Sequence, residues 1–119
     1  MTDVKTVPTS AIDPDVTAGV AQFLEPVVID LEAMVVDAKQ AHWHVRGNNF
    51  QAVHELLDSV QAHVQDYADT AAERVVALGL PIDARLATVA AKTTVPPLSA
   101  GFQPSETTIV EVIAQIDAT

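Results

Sequence analysis

An all-α fold is what this sequence predicts, and three features predict it. Apolar residues recur at three- and four-residue steps through two stretches of about 30 residues each, the period of helices that bury one face. The second stretch, Phe50 to Leu78, contains neither Gly nor Pro. The two stretches are separated only by Gly47-Asn48-Asn49, so they are expected to fold back on each other as an antiparallel helical hairpin.

Taken in order, the first 14 residues hold Pro8 and Pro14 among Thr, Ser and Asp, the composition of a mobile N-terminal arm. From about Asp15 the residues Val20, Phe23, Leu24, Val27, Val28, Leu31, Met34, Val35 and Ala38 form an apolar stripe, and this helix is expected to reach about Arg46. Pro26 removes one backbone donor inside it, so either the helix starts nearer Glu25 or it is kinked at the proline, and the kink is the favoured reading. Asn48 or Asn49 is suited to cap the second helix, which starts near Phe50 and is closed by Gly79 and Pro81. A short helix over Arg85 to Lys92 follows, then a break at Pro96-Pro97 and a loop through Gly101 and Pro104. Ser105 resembles the N-cap of a third main helix whose apolar face carries Ile109, Val112, Ile113 and Ile116. That helix meets Thr119 without a stop signal. Two long helices and half of a third leave an apolar seam uncovered, so residues 15–119 are expected to be the N-terminal portion of a larger bundle.

Composition bounds the function. A chain of 119 residues with 49% hydrophobic and 18% charged residues is a single globular domain. The absence of cysteine excludes disulfide scaffolds, zinc knuckles and thiol nucleophiles. A net charge of −10 argues against a basic groove for nucleic acid and against an anionic membrane surface, and makes cations the natural partners. With no signal-peptide pattern and no apolar run long enough to span a bilayer, the expected compartment is the cytoplasm.

Chemistry concentrates between Gln40 and Arg74, which holds all four histidines and a group of acids, the inventory of a divalent metal site. His54 and Asp58 are four residues apart on the second helix and share a face, and so do Asp69 and Glu73. Either pair alone is an ordinary solvated helix face. Eleven residues separate Asp58 from Asp69, three turns with roughly 20° left over, so both pairs lie near one stripe. Their centres are about 22 Å apart, too far to share an ion within one chain. Both His54 with Glu73 and Asp58 with Asp69 are symmetric about the point between His63 and Val64. A twofold axis there sets His54 and Asp58 of one chain against Asp69 and Glu73 of an antiparallel copy, which gives two equivalent sites in an isologous dimer. His42 comes round the hairpin to complete each set. His44 and His63 match no part of this geometry and read as surface or interface residues. Trp43, the only tryptophan, is in kind a core or interface anchor.

The segment resembles the ferroxidase region of the Dps family of miniferritins, the DNA-binding proteins from starved cells. The resemblance rests on the spacing of His42, His54, Asp58, Asp69 and Glu73, and on the surrounding KQAHW, RGNNF, VHELLD and DTAAER. It implies a ferritin-like four-helix bundle, of which this chain lacks the second half, and twelve subunits assembled from twofold dimers into a hollow shell. It further implies iron as the metal, with His42, His54 and Asp58 from one subunit and Asp69 and Glu73 from its mate. On this resemblance Fe(II) is oxidised by hydrogen peroxide and stored as a ferric mineral, which protects against oxidative stress. Asp58 and Glu73 are then the strongest, bridging ligands, His42 and His54 terminal ligands, and Asp69 a weaker one. Trp43 beside the site, and after it Tyr67, become candidates to donate an electron and intercept a radical.

Two other functions remain open from sequence. One is DNA compaction, which some relatives achieve through basic tails; the arm here holds a single Lys. The other is a metal-dependent hydrolase of amide or ester bonds, in which the same site lowers the pKa of a bound water.

Overall fold

The computed structural model describes residues 13–119 and contains four helices. Helix α1 spans Pro14–His44, α2 Phe50–Ala77, α3 Leu86–Lys92 and α4 Ser105–Ala118. Two-residue strands, β1 at Val45–Arg46 and β2 at Gln103–Pro104, pair in parallel. Residues 1–12 of the expected arm lie outside the described residues. Pro14 belongs to the helix, at its first turn, where a missing N–H costs nothing. The Asp13 carboxylate accepts from the Asp15 N–H at 2.8 Å and caps that end. Helix α1 continues through Pro26, so the proline does not set the start of the helix.

The two long helices form the hairpin. Leu31, Met34, Ala38 and Ala41 of α1 are buried at three- and four-residue steps, as are Val53, Leu57, Val64, Ala68 and Val75 of α2 at four- and seven-residue steps. Small residues at Ala38, Ala41 and Ala68 let the backbones approach, and the side chains interdigitate in two layers. One layer joins Leu31, Met34, Val64, Ala68 and Val95; the other joins Ala41, Val45, Val53, Leu57 and Val112. Much of the apolar stripe expected for α1 is not buried: Phe23 is 79% exposed, whereas Asp30 is 6% exposed. The Asp30 carboxylate accepts from the Thr93 hydroxyl, the Thr94 N–H and the Thr94 hydroxyl at 2.6–2.9 Å, which ties the chain after α3 to α1.

The turn between α1 and α2 differs from expectation in a way that matters for the site. The first helix stops at His44, and Val45–Arg46 pair with Gln103–Pro104. Gly47 and Asn49 take left-handed backbone, with φ of 96° and 58°. Asn49 stands at the cap position of α2 but makes no side-chain cap. Ser105 is likewise not the N-cap of α4; that position is Pro104. The Ser105 hydroxyl instead donates to the Asn48 carbonyl at 2.5 Å and fastens α4 to the turn. The buried face of α4 is Ser105, Thr108, Val112 and Gln115 rather than the isoleucine stripe. Polar partners set that rotation, because the Gln115 amide donates to Asp37 and to the Pro96 carbonyl at 2.8 and 3.0 Å. Ile109, Ile113 and Ile116 are left 43–51% exposed, the uncovered apolar seam.

Candidate metal centre

The hairpin brings the C-terminal turn of α1 beside the first two turns of α2, and with them His42 beside His54. The two imidazoles stack with centroids 3.7 Å apart and planes at 15°. The His42 Nδ1 lies 2.5 Å from the His54 carbonyl oxygen, and the His54 Nδ1 lies 2.7 Å from the His42 carbonyl oxygen. A carbonyl only accepts, so both Nδ1 atoms carry a proton, and in the neutral form of either ring Nε2 is the unprotonated nitrogen. The His42 carbonyl is one of the last four of α1, which have no partner within a helix, so this exchange also satisfies the helix end. Paired imidazoles fixed through the far nitrogen are the arrangement in which histidine holds a metal.

Asp58, one turn beyond His54, is exposed and paired with Lys39 of α1. The hydrogen bond from the Lys39 ammonium holds the Asp58 carboxyl below the usual carboxylate range; slight burial opposes this, and electrostatic attraction to Lys39 and, after it, to the neighbouring His42 and His54 adds to it. Lys39 went unseen in the sequence, although its place three residues before His42 puts it on the same helix face.

Asp69 and Glu73 are not brought to this group. Both are exposed on the distal half of α2, Asp69 in an open depression with Glu32, Gln65 and Asp66, and Glu73 in another with Leu24, Tyr67 and Arg74. Among the described residues no three His, Asp or Glu side chains converge to hold an ion. The two imidazoles that do meet, with one carboxylate a helical turn beyond His54 and paired with a lysine, are donor types of the class that suits Fe(II).

Trp43 is 60% exposed, so it is not a core residue of this chain. Tyr67, also 60% exposed, stacks with His63 at 6.4 Å between centroids. At 100° per residue the stripe of Asp58 and Asp69 passes through Ala62 and Gln65, whereas Val64 is buried and His63 turns toward Tyr67. His44 is half-buried, donates through Nδ1 to the Gln40 carbonyl at 2.8 Å and lies 5.5 Å from the Phe102 ring, apart from the His42–His54 stack.

The ferritin-like domain family matches residues 28–116. The DNA protection during starvation protein 2 of Deinococcus radiodurans is 35% identical over 81 residues, which is 68% of this chain and 34% of that protein. The DNA protection during starvation protein of Agrobacterium fabrum is 56% identical over 52 residues, 44% of this chain and 30% of that protein. The chain thus spans about a third of the length of these two relatives. Among solved structures, Dps from Microbacterium arborescens in its high iron form is 55% identical with a TM-score of 0.75, covering 89% of this chain and 76% of that one.

Proposed function

Since this chain belongs to the ferritin-like Dps family, we propose that it is an iron-oxidising, iron-storing miniferritin of the cytoplasm, with Fe(II) as substrate and hydrogen peroxide as oxidant. The observation that carries the proposal is the locked His42–His54 pair beside Asp58, at one end of a stripe whose other end is Asp69 and Glu73. An antiparallel second copy laid along the Ala62–Gln65 side of α2 completes two such sites. In each, His42, His54 and Asp58 come from one chain and Asp69 and Glu73 from the other, and twofold dimers of this kind are the unit of a dodecameric shell.

The residues divide the work by charge. The neutral Nε2 atoms of His42 and His54 hold Fe(II) without adding negative charge, while Asp58 and Glu73 favour the ferric product as positive charge builds. Asp69 adds a weaker contact. Each peroxide takes one electron from each of two Fe(II) and two protons, and leaves as two waters. Trp43, next to His42, is placed to give an electron to a stray radical. Protection of DNA, which the names of the relatives record, then follows from removal of iron and peroxide rather than from contact with phosphates, because 16 acids outnumber six Lys and Arg.

Anaerobic addition of Fe(II) followed by peroxide, with absorbance read for ferric product, tests the proposal. Asp58→Ala and Glu73→Ala are each expected to slow the reaction on the order of tenfold or more, and His63→Ala to leave it unchanged. Unchanged rates in both acid variants overturn the site.

A further inference from the structure

We propose that Phe50 is a positioning residue for the His42–His54 pair, an inference that rests on the metal-binding role given to that pair above. Phe50 opens α2 four residues before His54, so the two side chains lie on one face a turn apart. Their rings stack with centroids 5.2 Å apart and planes at 24°. His54 therefore stacks against two rings, Phe50 and His42. The Arg46 guanidinium carbon sits 5.7 Å from the Phe50 centroid and 4.2 Å from that of Phe102, within the range of cation–π attraction. A column runs from the turn to the site: Arg46, Phe50, His54, His42.

Phe50 is suited to fix a plane because it is itself fixed. It packs against the buried layer of Ala41, Val45, Val53, Leu57 and Val112, and the adjacent turn is tied down by β1–β2 pairing and by Ser105. The last torsion of a histidine is broad and close to two-fold, so one hydrogen bond from Nδ1 leaves the ring free to tilt. Stacking on Phe50 removes that freedom. The Nδ1–H contact with the His42 carbonyl is kept, and the Nε2 edge is held in a constant direction. Since His42 and His54 exchange carbonyl contacts, the constraint on one ring passes to the other.

An aromatic platform differs from a plain apolar contact in what replaces it. Phe50→Leu keeps the apolar volume and removes the flat face; Phe50→Tyr keeps the face. Imidazole nitrogen resonances of the metal-free protein, read at a pH where the rings are neutral, report the tautomers directly, and Co(II) serves as the metal probe. The wild type is expected to show single Nδ1–H tautomers for His42 and His54. Phe50→Leu is expected to show mixed tautomers and Co(II) affinity weakened about tenfold, with Phe50→Tyr like the wild type. Wild-type tautomers and affinity in Phe50→Leu overturn the proposal. If that variant does not fold, the unmodified chain decides: nuclear Overhauser contacts between the Phe50 and His54 rings are expected, and their absence overturns it. His54→Ala separates the two levels. Undiminished Co(II) binding in that variant sinks the metal-binding role itself, whereas lost binding there with an unaffected Phe50→Leu sinks only the role of Phe50.

Discussion

Lys39 of α1 and Asp58 of α2 form an ion pair that joins the two long helices beside the histidine pair. A cation arriving at Asp58 has to displace the ammonium or share the carboxylate with it. Lys39→Met is therefore expected to raise Co(II) affinity roughly fivefold at low ionic strength, and less in high salt. The same substitution has a signed effect on stability. The folded-state pKa of Asp58 is lowered, so its stabilisation is present above the unfolded-state value and fades as pH falls through the folded one. Urea midpoints of wild type and Lys39→Met are expected to differ slightly at neutral pH and to converge in strong acid. A difference that grows on acidification contradicts this.

Asp30 carries a structural load at the opposite end of the core. Its buried carboxylate receives two hydroxyls and the Thr94 N–H. Asp30→Ala is expected to cost about 2–3 kcal/mol in urea unfolding, chiefly from donors left unsatisfied. Asp30→Asn retains one carbonyl oxygen and should lose less. A change under about 0.5 kcal/mol in Asp30→Ala shows that the Thr93–Thr94 segment rearranges freely.

The helices were legible because their signals are local. Periodicity and the left-handed residues Gly47 and Gly79 fixed the hairpin within two residues at each end. Features set by distant partners were not legible. Asp30 looks like a surface acid until Thr93 and Thr94 are placed against it, and Ser105 looks like an N-cap until Asn48 comes within reach. The rotation of α4 depends on Asp37 and Pro96, which lie 78 and 19 residues away in sequence from Gln115. At the site, helical spacing found the ligand candidates, since repeat along one face is written in the sequence. It missed what orients them: Lys39 across the hairpin, the carbonyl exchange between His42 and His54, and Phe50 stacked upon them.

Trp43 offers an optical test of what covers the site. It follows His42 directly and is 60% exposed in the single chain. A second copy along α2 is expected to shield its indole, so dilution through the dimer–monomer transition should shift its emission to the red. Co(II) should quench the emission in the wild type and not in His54→Ala. Emission that is independent of concentration, while sedimentation records dissociation, means that the second copy lies elsewhere.

The division of the site between chains has the most demanding test. Its two halves are centred about 22 Å apart along α2, so neither half can borrow the other within one chain. A subunit carrying His54→Ala and Asp58→Ala retains Asp69 and Glu73; one carrying Asp69→Ala and Glu73→Ala retains His54 and Asp58. Each variant alone is expected to lack fast iron oxidation, since every site in its dimers is missing one half. Refolded together, they form mixed dimers in which one site regains all four residues and the other loses all four. If mixing is random, half of the dimers are mixed, so recovery approaches one quarter of the wild-type rate. The recovered activity should scale with the mixed fraction counted by native mass spectrometry. A mixture in which mixed dimers are counted and activity stays at the level of the parents shows that the two halves do not meet across the twofold.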